Sequence, residues 1–218
     1  LRGQKIDKAA PRLYKRKSGA WNAQRGETEM EERIIRACIA LFNRKGCKFT
    51  LDDVVAELKI SRKTFYKYFS SKEEALKVLI DRMHGYIHEK QQLIYADPEL
   101  STREKLRRSL TLETKFEADI NLEKIYQVEQ YYPDVYRHFM EIYEMDWDDT
   151  EALLRRGMEE GVFRRENVGV VKGLLKNGMK MLYQGDFLSR NKITYHEALC
   201  QSVDIILRGI DSGGDETR

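Results

Sequence analysis

The segment TLDDVVAELKISRKTFYKYFSSKEE, Thr50 to Glu74, decides how the rest of the chain is read. Thr50 is an N-cap candidate, with Asp52 and Asp53 in the first turn, where negative charge suits the positive end of the helix dipole. Leu51, Val54, Val55 and Leu58 recur at i, i+3, i+4 and i+7, giving a short helix one apolar face. Lys59-Ile60 forms a tight turn. Ser61 caps a second helix, expected over Arg62 to Tyr68, with Phe65 and Phe69 pointing inward. This second helix is basic and aromatic and carries no acid. Helix, turn, basic helix is the layout that presents a reader helix to the major groove of DNA.

On either side the pattern remains helical. Upstream, Thr28 with Glu31 makes a capping box, and Ile34, Ile35, Cys38, Leu41 and Phe42 repeat at helical spacing up to a stop at Gly46. On that face Cys38 reads as a small core residue. Downstream, Ser71-Lys72-Glu73-Glu74 is a further capping box. It opens a long helix through Ala75, Leu76, Leu79, Ile80 and Met83 toward Tyr95.

Residues 28–76 resemble the DNA-binding domain of the TetR (tetracycline repressor) family of bacterial regulators. The resemblance is carried by Phe49-Thr50, by the run Ile60-Ser61-Arg62-Lys63-Thr64-Phe65-Tyr66-Lys67-Tyr68-Phe69, and by Ser71-Lys72-Glu73-Glu74-Ala75-Leu76. One departure is Lys59, where the family commonly has Gly. A left-handed lysine there costs roughly 1 kcal/mol. The resemblance implies a repressor released from a palindromic operator by a small-molecule effector, with no other cofactor. It also implies a homodimer and a cytoplasmic bacterial location, on the nucleoid when bound.

Charge supports the same end of the chain. The whole carries 39 basic and 36 acidic residues, net +3. Residues 1–72 hold 18 basic against 8 acidic, a net of +10, and the remainder holds 21 against 28, a net of −7. One end is built to meet a polyanion. Residues 1–26 concentrate eight basic side chains with one acid, Asp7, and read as a solvated tail or as an arm along the phosphate backbone. No apolar run approaches a membrane span, and the basic N-terminus lacks the apolar segment of a secretory signal. Cys38, Cys47 and Cys200 are odd in number without metal-ligand spacing, as in reduced intracellular thiols.

On a short reader helix the N-terminal residues do most of the base contact. Arg62 and Lys63 stand there, either able to donate to guanine O6 and N7, and Arg able to do so in bidentate fashion. Thr64 offers a hydroxyl to phosphate or a methyl to thymine. Tyr66, Lys67 and Tyr68 follow with groups suited to phosphates, and Thr50 has a double use as cap and backbone contact. The resemblance puts Tyr66 on the DNA backbone and Lys72 on a phosphate. The competing reading packs the two tyrosines between helices and leaves the lysines solvated.

The expected organisation is all-α: a tail or arm over 1–26, a three-helix helix-turn-helix domain over 27–76, a helical effector-binding and dimerisation domain over 77–211, and a frayed end over 212–218. In the larger domain, Asp97-Pro98 breaks the long helix and Ser101 with Glu104 restarts one. A helix is expected from about Leu122 to Tyr131. Pro133 to about Glu160 reads as one long helix or two short ones, and Val168 to about Leu188 as a single helix. Thr194 with Glu197 caps the last. The aromatics Tyr86, Phe116, Tyr126, Phe139, Tyr143, Trp147 and Tyr183 are candidates to line an effector cavity, or else to pack in the core. Leu174, Leu175, Gly178, Leu182, Leu199, Val203, Ile206, Leu207 and Ile210 form stripes that serve a dimer interface, the protomer's own core, or both. His84 and His88, four apart, lack a second ligand pair, so no metal site is expected. No nucleophile and base, phosphate loop or G-x-S-x-G elbow is present, so no catalytic residues are assigned. The alternative class is an architectural or partner-controlled DNA-binding protein without a small ligand.

Overall fold

The computed structural model describes residues 29–112, 126–145, 147–183 and 186–213. The basic segment 1–26, Thr28, Phe116 and the end 214–218 lie outside them, as does the side chain of Tyr126. Within these residues there are eleven α-helices and one isolated bridge, Phe163 with Asp211, and no strand. The chain is all-α, as expected.

Helix α1 (Glu29–Lys45) has Glu29, Glu31 and Glu32 in its first turn and Arg44 and Lys45 in its last, so both ends complement the dipole. Ile34, Ile35, Cys38, Leu41 and Phe42 are all buried. Gly46 ends the helix at φ +61° and begins a single 3-10 turn, Gly46–Lys48, which leads to Phe49. Helix α2 (Leu51–Leu58) begins in a reciprocal cap. The Asp53 N–H donates to Thr50 Oγ1 at 3.2 Å, and the Thr50 N–H donates to the Asp53 carboxylate at 2.8 Å.

Lys59 closes α2 with φ 53° and ψ 43°, in the left-handed region. Lys59→Gly is therefore expected to stabilise the protein by up to about 1 kcal/mol, since glycine has no Cβ to meet the carbonyl. A rise in melting temperature would register it. An unchanged or lower value would mean that the lysine side chain makes compensating contacts.

Helix α3 (Arg62–Phe65) is shorter than the expected span to Tyr68. The Tyr66 N–H donates to the Arg62 carbonyl at 2.9 Å, the next two N–H groups tighten to i→i+3 bonds at 3.3 and 2.9 Å, and Tyr66 to Tyr68 continue as turns. Thr, Phe and Tyr are modest helix formers, so nothing local prolongs the helix beyond what burial of Phe65 and Phe69 requires. At helix α4 (Lys72–Ala96) half of the expected box forms. Ser71 Oγ accepts from the Glu74 N–H at 3.0 Å, but the Glu74 carboxylate takes the Ser70 N–H at 2.5 Å.

Helices α5 (Thr102–Leu110), α6 (Tyr126–Tyr131), α7 (Pro133–Met145), α8 (Asp148–Glu159), α9 (Val168–Met181), α10 (Phe187–Asn191) and α11 (Tyr195–Gly209) build the larger unit. The predicted boxes Ser101–Glu104 and Thr194–Glu197 both form. The Pro133–Glu160 stretch is two helices. The single helix expected to Leu188 is corrected: it stops at Met181 and resumes as α10. Leu182 and Leu188 are both buried in the same core, yet six residues on a continuous helix would set them roughly 120° apart. The break lets both face inward.

There are two cores. One gathers the inner faces of α1, α2, α3 and the first turns of α4 around Phe49, Phe65 and Phe69, and the other joins α5, α8, α9 and α11 around Leu106, Leu154, Phe163 and Leu175. The boundary expected between residues 76 and 77 falls inside α4, where Val78, Leu79 and Met83 still pack on the first core. Helix α4 is thus shared, and a movement in the larger unit has a rigid path to the smaller one.

Burial raises the Cys38 thiol from 9.0 to about 12, the Cys47 thiol to about 11 and the Tyr132 hydroxyl from 10.0 to about 12. Above pH 9 the folded state holds these protons longer than the unfolded chain, so stability falls as pH rises from about 9 toward 12. The urea midpoint should decline across that window, and less steeply in Cys38→Ala. A midpoint independent of pH from 8 to 11 would contradict this.

Candidate nucleic-acid interface

Helix α3 is seated by Phe65, which is fully buried, and by Phe69 six ångströms away between ring centroids (6.0 Å). The Ser61 hydroxyl accepts from the Thr64 N–H at 3.0 Å and lies 2.9 Å from the Thr64 hydroxyl. With the inner face anchored, Arg62, Lys63, Tyr66 and Lys67 point outward and Thr64 is half-buried. Among the described residues neither Lys63 nor Lys67 makes an ion pair. Thr50 is exposed at the start of α2, although its N–H and hydroxyl are engaged by Asp53. Tyr68 is half-buried against the first core, in line with the packing alternative.

Arg62 is held from α2. Its Nε donates to Asp52 Oδ1 at 2.7 Å and its Nη2 to Asp52 Oδ2 at 2.6 Å. These bonds lower the Asp52 carboxyl below its usual range and raise the arginine. Both side chains are close to two-thirds exposed, at 64% and 63%, so the pair orients more than it stabilises. A guanidinium has five N–H donors. With Nε and one Nη2 hydrogen spent on Asp52, the Nη1–Nη2 edge remains for a base. Asp52, read from sequence only as a dipole partner, is the residue that sequence reasoning missed; a contact across ten positions and a turn leaves no periodic signal.

Lys72 does not join this surface, a correction to its expected place on a phosphate. Its ammonium is half-buried and donates to the Phe49 carbonyl at 2.5 Å and to the Tyr132 hydroxyl, 4.4 Å from the centroid of the Phe49 ring and 4.5 Å from that of Tyr132. Desolvation lowers its pKa. Tyr132 in turn donates to the Cys47 carbonyl at 2.5 Å. The reason is geometric: the Phe49 carbonyl just after the 3-10 turn, the Tyr132 hydroxyl and two aromatic faces offer the ammonium a more complete shell than the helix N-terminus does. These bonds tie the chain after α6 to the reader domain.

A cavity of about 140 Å³ opens between α4, α5, α7 and α9. Phe139, Tyr143, Trp147 and Tyr183, all predicted, line it together with Tyr195 and Met179, which were not singled out. The Tyr183 and Tyr195 hydroxyls are hydrogen-bonded to each other, Tyr143 donates to the Lys176 carbonyl at 2.6 Å, and burial pushes the Tyr143 hydroxyl pKa up. Tyr86 is corrected out of this set. It is exposed on α4, with the Lys90 ammonium 5.4 Å from its ring centroid. His84 and His88 stack at 6.3 Å, and among the described residues no cluster of metal-ligating groups gathers around them.

The dimer stripes divide. Leu175, Leu182, Leu199, Val203, Leu207 and Ile210 are buried in the protomer's own core, with Ile206 packed against it, so of the uses open to these stripes they serve the core. The stripe that α9 and α11 turn toward each other fills the intrachain contact, and only the opposite faces are left. There Leu174 is 58% exposed, Gly178 is open, and Val170, Met181 and Ile205, not predicted, are exposed as well.

A capped helix, a left-handed turn and a short basic helix seated by two phenylalanines define a helix-turn-helix DNA-binding protein, here joined to a helical domain with its own cavity. Residues 34–78 match the family model of the bacterial regulatory proteins of the tetR family. The HTH-type transcriptional regulator YvaF of Bacillus subtilis is 23% identical over 190 residues, 86% of this chain and all of that protein. In fold the chain resembles the fatty acid degradation regulator FadR of Bacillus halodurans, with TM-score 0.68 and 18% identity over 89% of this chain and all of that one. It also resembles a transcriptional regulator of Saccharomonospora viridis in complex with choline, with TM-score 0.66 and 19% identity over 85% and 99%. Residues 34–78 thus form a DNA-binding domain of the tetR-family type, and the comparisons support a transcriptional regulator. Among the described residues no helix is long and apolar enough to cross a membrane.

Proposed function

We propose that the protein is a homodimeric repressor in the bacterial cytoplasm that binds a palindromic operator and leaves it when a small organic effector enters the larger domain. The observation that carries this is the aromatic cavity, because one of its walls, from Ile80 to Gln91, belongs to the helix that also seats the reader domain. An occupant that favours one setting of α4 shifts the spacing of the two reader helices, and only differential affinity for the two settings is needed. A structural relative held with choline supports a fold that accepts small organic molecules. In this reading Arg62, oriented by Asp52, and Lys63 face base edges, while Thr50, Thr64, Tyr66 and Lys67 face phosphates. Val170, Leu174, Gly178, Met181 and Ile205 form the two-fold face.

The test has two stages. Sequences selected from random DNA should converge on an inverted repeat, and a compound screen against that complex should find molecules that release it. Convergence without any releasing compound would favour a partner-controlled DNA-binding protein instead. A set without common sequence would sink operator recognition altogether.

A further inference from the structure

A second cavity, of about 90 Å³, lies where the two units meet. Its walls are Cys38, Ile39 and Phe42 of α1, Leu76 and Leu79 of α4, and Val128, Val135 and their neighbours on and after α6. Apart from the edges of two tyrosines, the lining is hydrocarbon and sulfur. A cavity with such walls gains nothing from a polar occupant and stays dry when empty. Ile80 and Phe139 line both this chamber and the aromatic cavity, so the two spaces are separated by the thickness of one pair of side chains. Ile80 and Phe139 are thus the side chains whose rotamers would have to change for one ligand to occupy both spaces.

The aromatic cavity differs in chemistry. Gln91, Thr150, the His84 imidazole and the hydroxyls of Tyr183 and Tyr195 give it hydrogen-bonding capacity, while among the described residues it is lined by no lysine, arginine, aspartate or glutamate. We propose that the joined site takes an uncharged amphiphile, with a small hydrogen-bonding head in the aromatic cavity and an unbranched aliphatic tail in the junction chamber. This rests on the effector reading above and specifies it. The tail would lie between α1 of the reader domain and the Val128–Tyr136 segment, beside the Tyr132 hydroxyl that bridges Lys72 and the Cys47 carbonyl. Ligand length is thereby read at the contact that ties the two domains together.

The probes are 1-alkanols from hexanol to dodecanol and the carboxylates of matching length, titrated into the full-length protein by calorimetry and, in parallel, into its complex with the selected operator. Affinity for the alkanols should rise about fourfold per added methylene while the chamber fills, then level off, and operator release should follow the same order. In buffer at pH 8.5 the carboxylates should bind more weakly at each length, because no lysine or arginine lines the site to meet them. Val128→Phe and, separately, Leu76→Phe fill the chamber. Each should abolish the gain from added methylenes while hexanol binding stays as it was, with circular dichroism checking the fold. No dependence on chain length, tighter carboxylate binding, or an unaltered length dependence in whichever variant folds would overturn the proposal. If compact ring compounds release the operator and alkyl chains do not, the effector reading stands and this one falls. If no compound releases it, both fall.

Discussion

Replacing Arg62 and Lys63 together by alanine lowers affinity for the selected operator by on the order of a hundredfold or more at physiological salt, because each bidentate base contact is worth about 1–3 kcal/mol and a two-fold dimer makes each twice. The fold should not suffer. Both side chains are exposed, and the Arg62–Asp52 pair is a surface pair worth about 0–1 kcal/mol. The single variants separate two roles that sequence leaves open. A base reader, when removed, relaxes preference at one position of each half-site. A phosphate contact, when removed, weakens all sequences alike and reduces the salt slope by about one. Asp52→Ala should sit between these, keeping every donor of Arg62 and losing its orientation, so that specificity falls more than total DNA affinity. Gel-shift titrations at several salt concentrations on operator and scrambled DNA read all of this. An unchanged operator affinity in the double variant would remove α3 from the recognition surface.

A monomer is the expected product of Leu174→Glu combined with Ile205→Glu. These side chains are 58% and 69% exposed in the protomer, so glutamate there costs an isolated chain little. At a two-fold interface each would appear twice, and an unpaired carboxylate withdrawn from water costs several kcal/mol per ion. Four such groups exceed what a standard interface can offset. Sedimentation at micromolar concentration should therefore give a single-chain mass with unchanged helical content. Operator binding should be lost with it, since one short helix per DNA molecule leaves too small a specificity ratio. A dimer persisting in this variant would move the interface elsewhere, and Leu175→Ala would not substitute for the test, because Leu175 is core and its loss unfolds by cavity formation.

The two halves of the chain were not equally legible. In the reader domain local rules agreed with one another. Thr50, Ser61 and Ser71 cap where their spacing predicts, Gly46 stops α1, and the Leu51–Val54–Val55–Leu58 face, with Val54 buried and its neighbours packed on the same core, meets α1. In the larger domain the same rules found the helix starts at Thr102 and Tyr195 and the aromatics Phe139, Tyr143, Trp147 and Tyr183 around the cavity. They failed where one periodic stripe had two possible partners. Leu174 and Leu175 are adjacent and equally apolar, yet one is exposed and the other buried, and no period in the sequence distinguishes a neighbouring helix from a second copy of the chain.

By itself the sequence determined the all-α class and the helix-turn-helix with its basic second helix, because caps, breakers and a 3.6-residue period are short-range and each acts within a few positions. It marked Lys59 as the departure in the turn, and the structure shows that this residue is left-handed. Tertiary structure alone decided that Asp52 aims Arg62, that Lys72 turns inward to Phe49 and Tyr132, and that the dimer stripes are mostly core. Lys72 and Tyr132 are 60 positions apart. Contacts of that separation depend on how whole helices pack, and a charged side chain takes the most complete shell of partners that packing brings within reach.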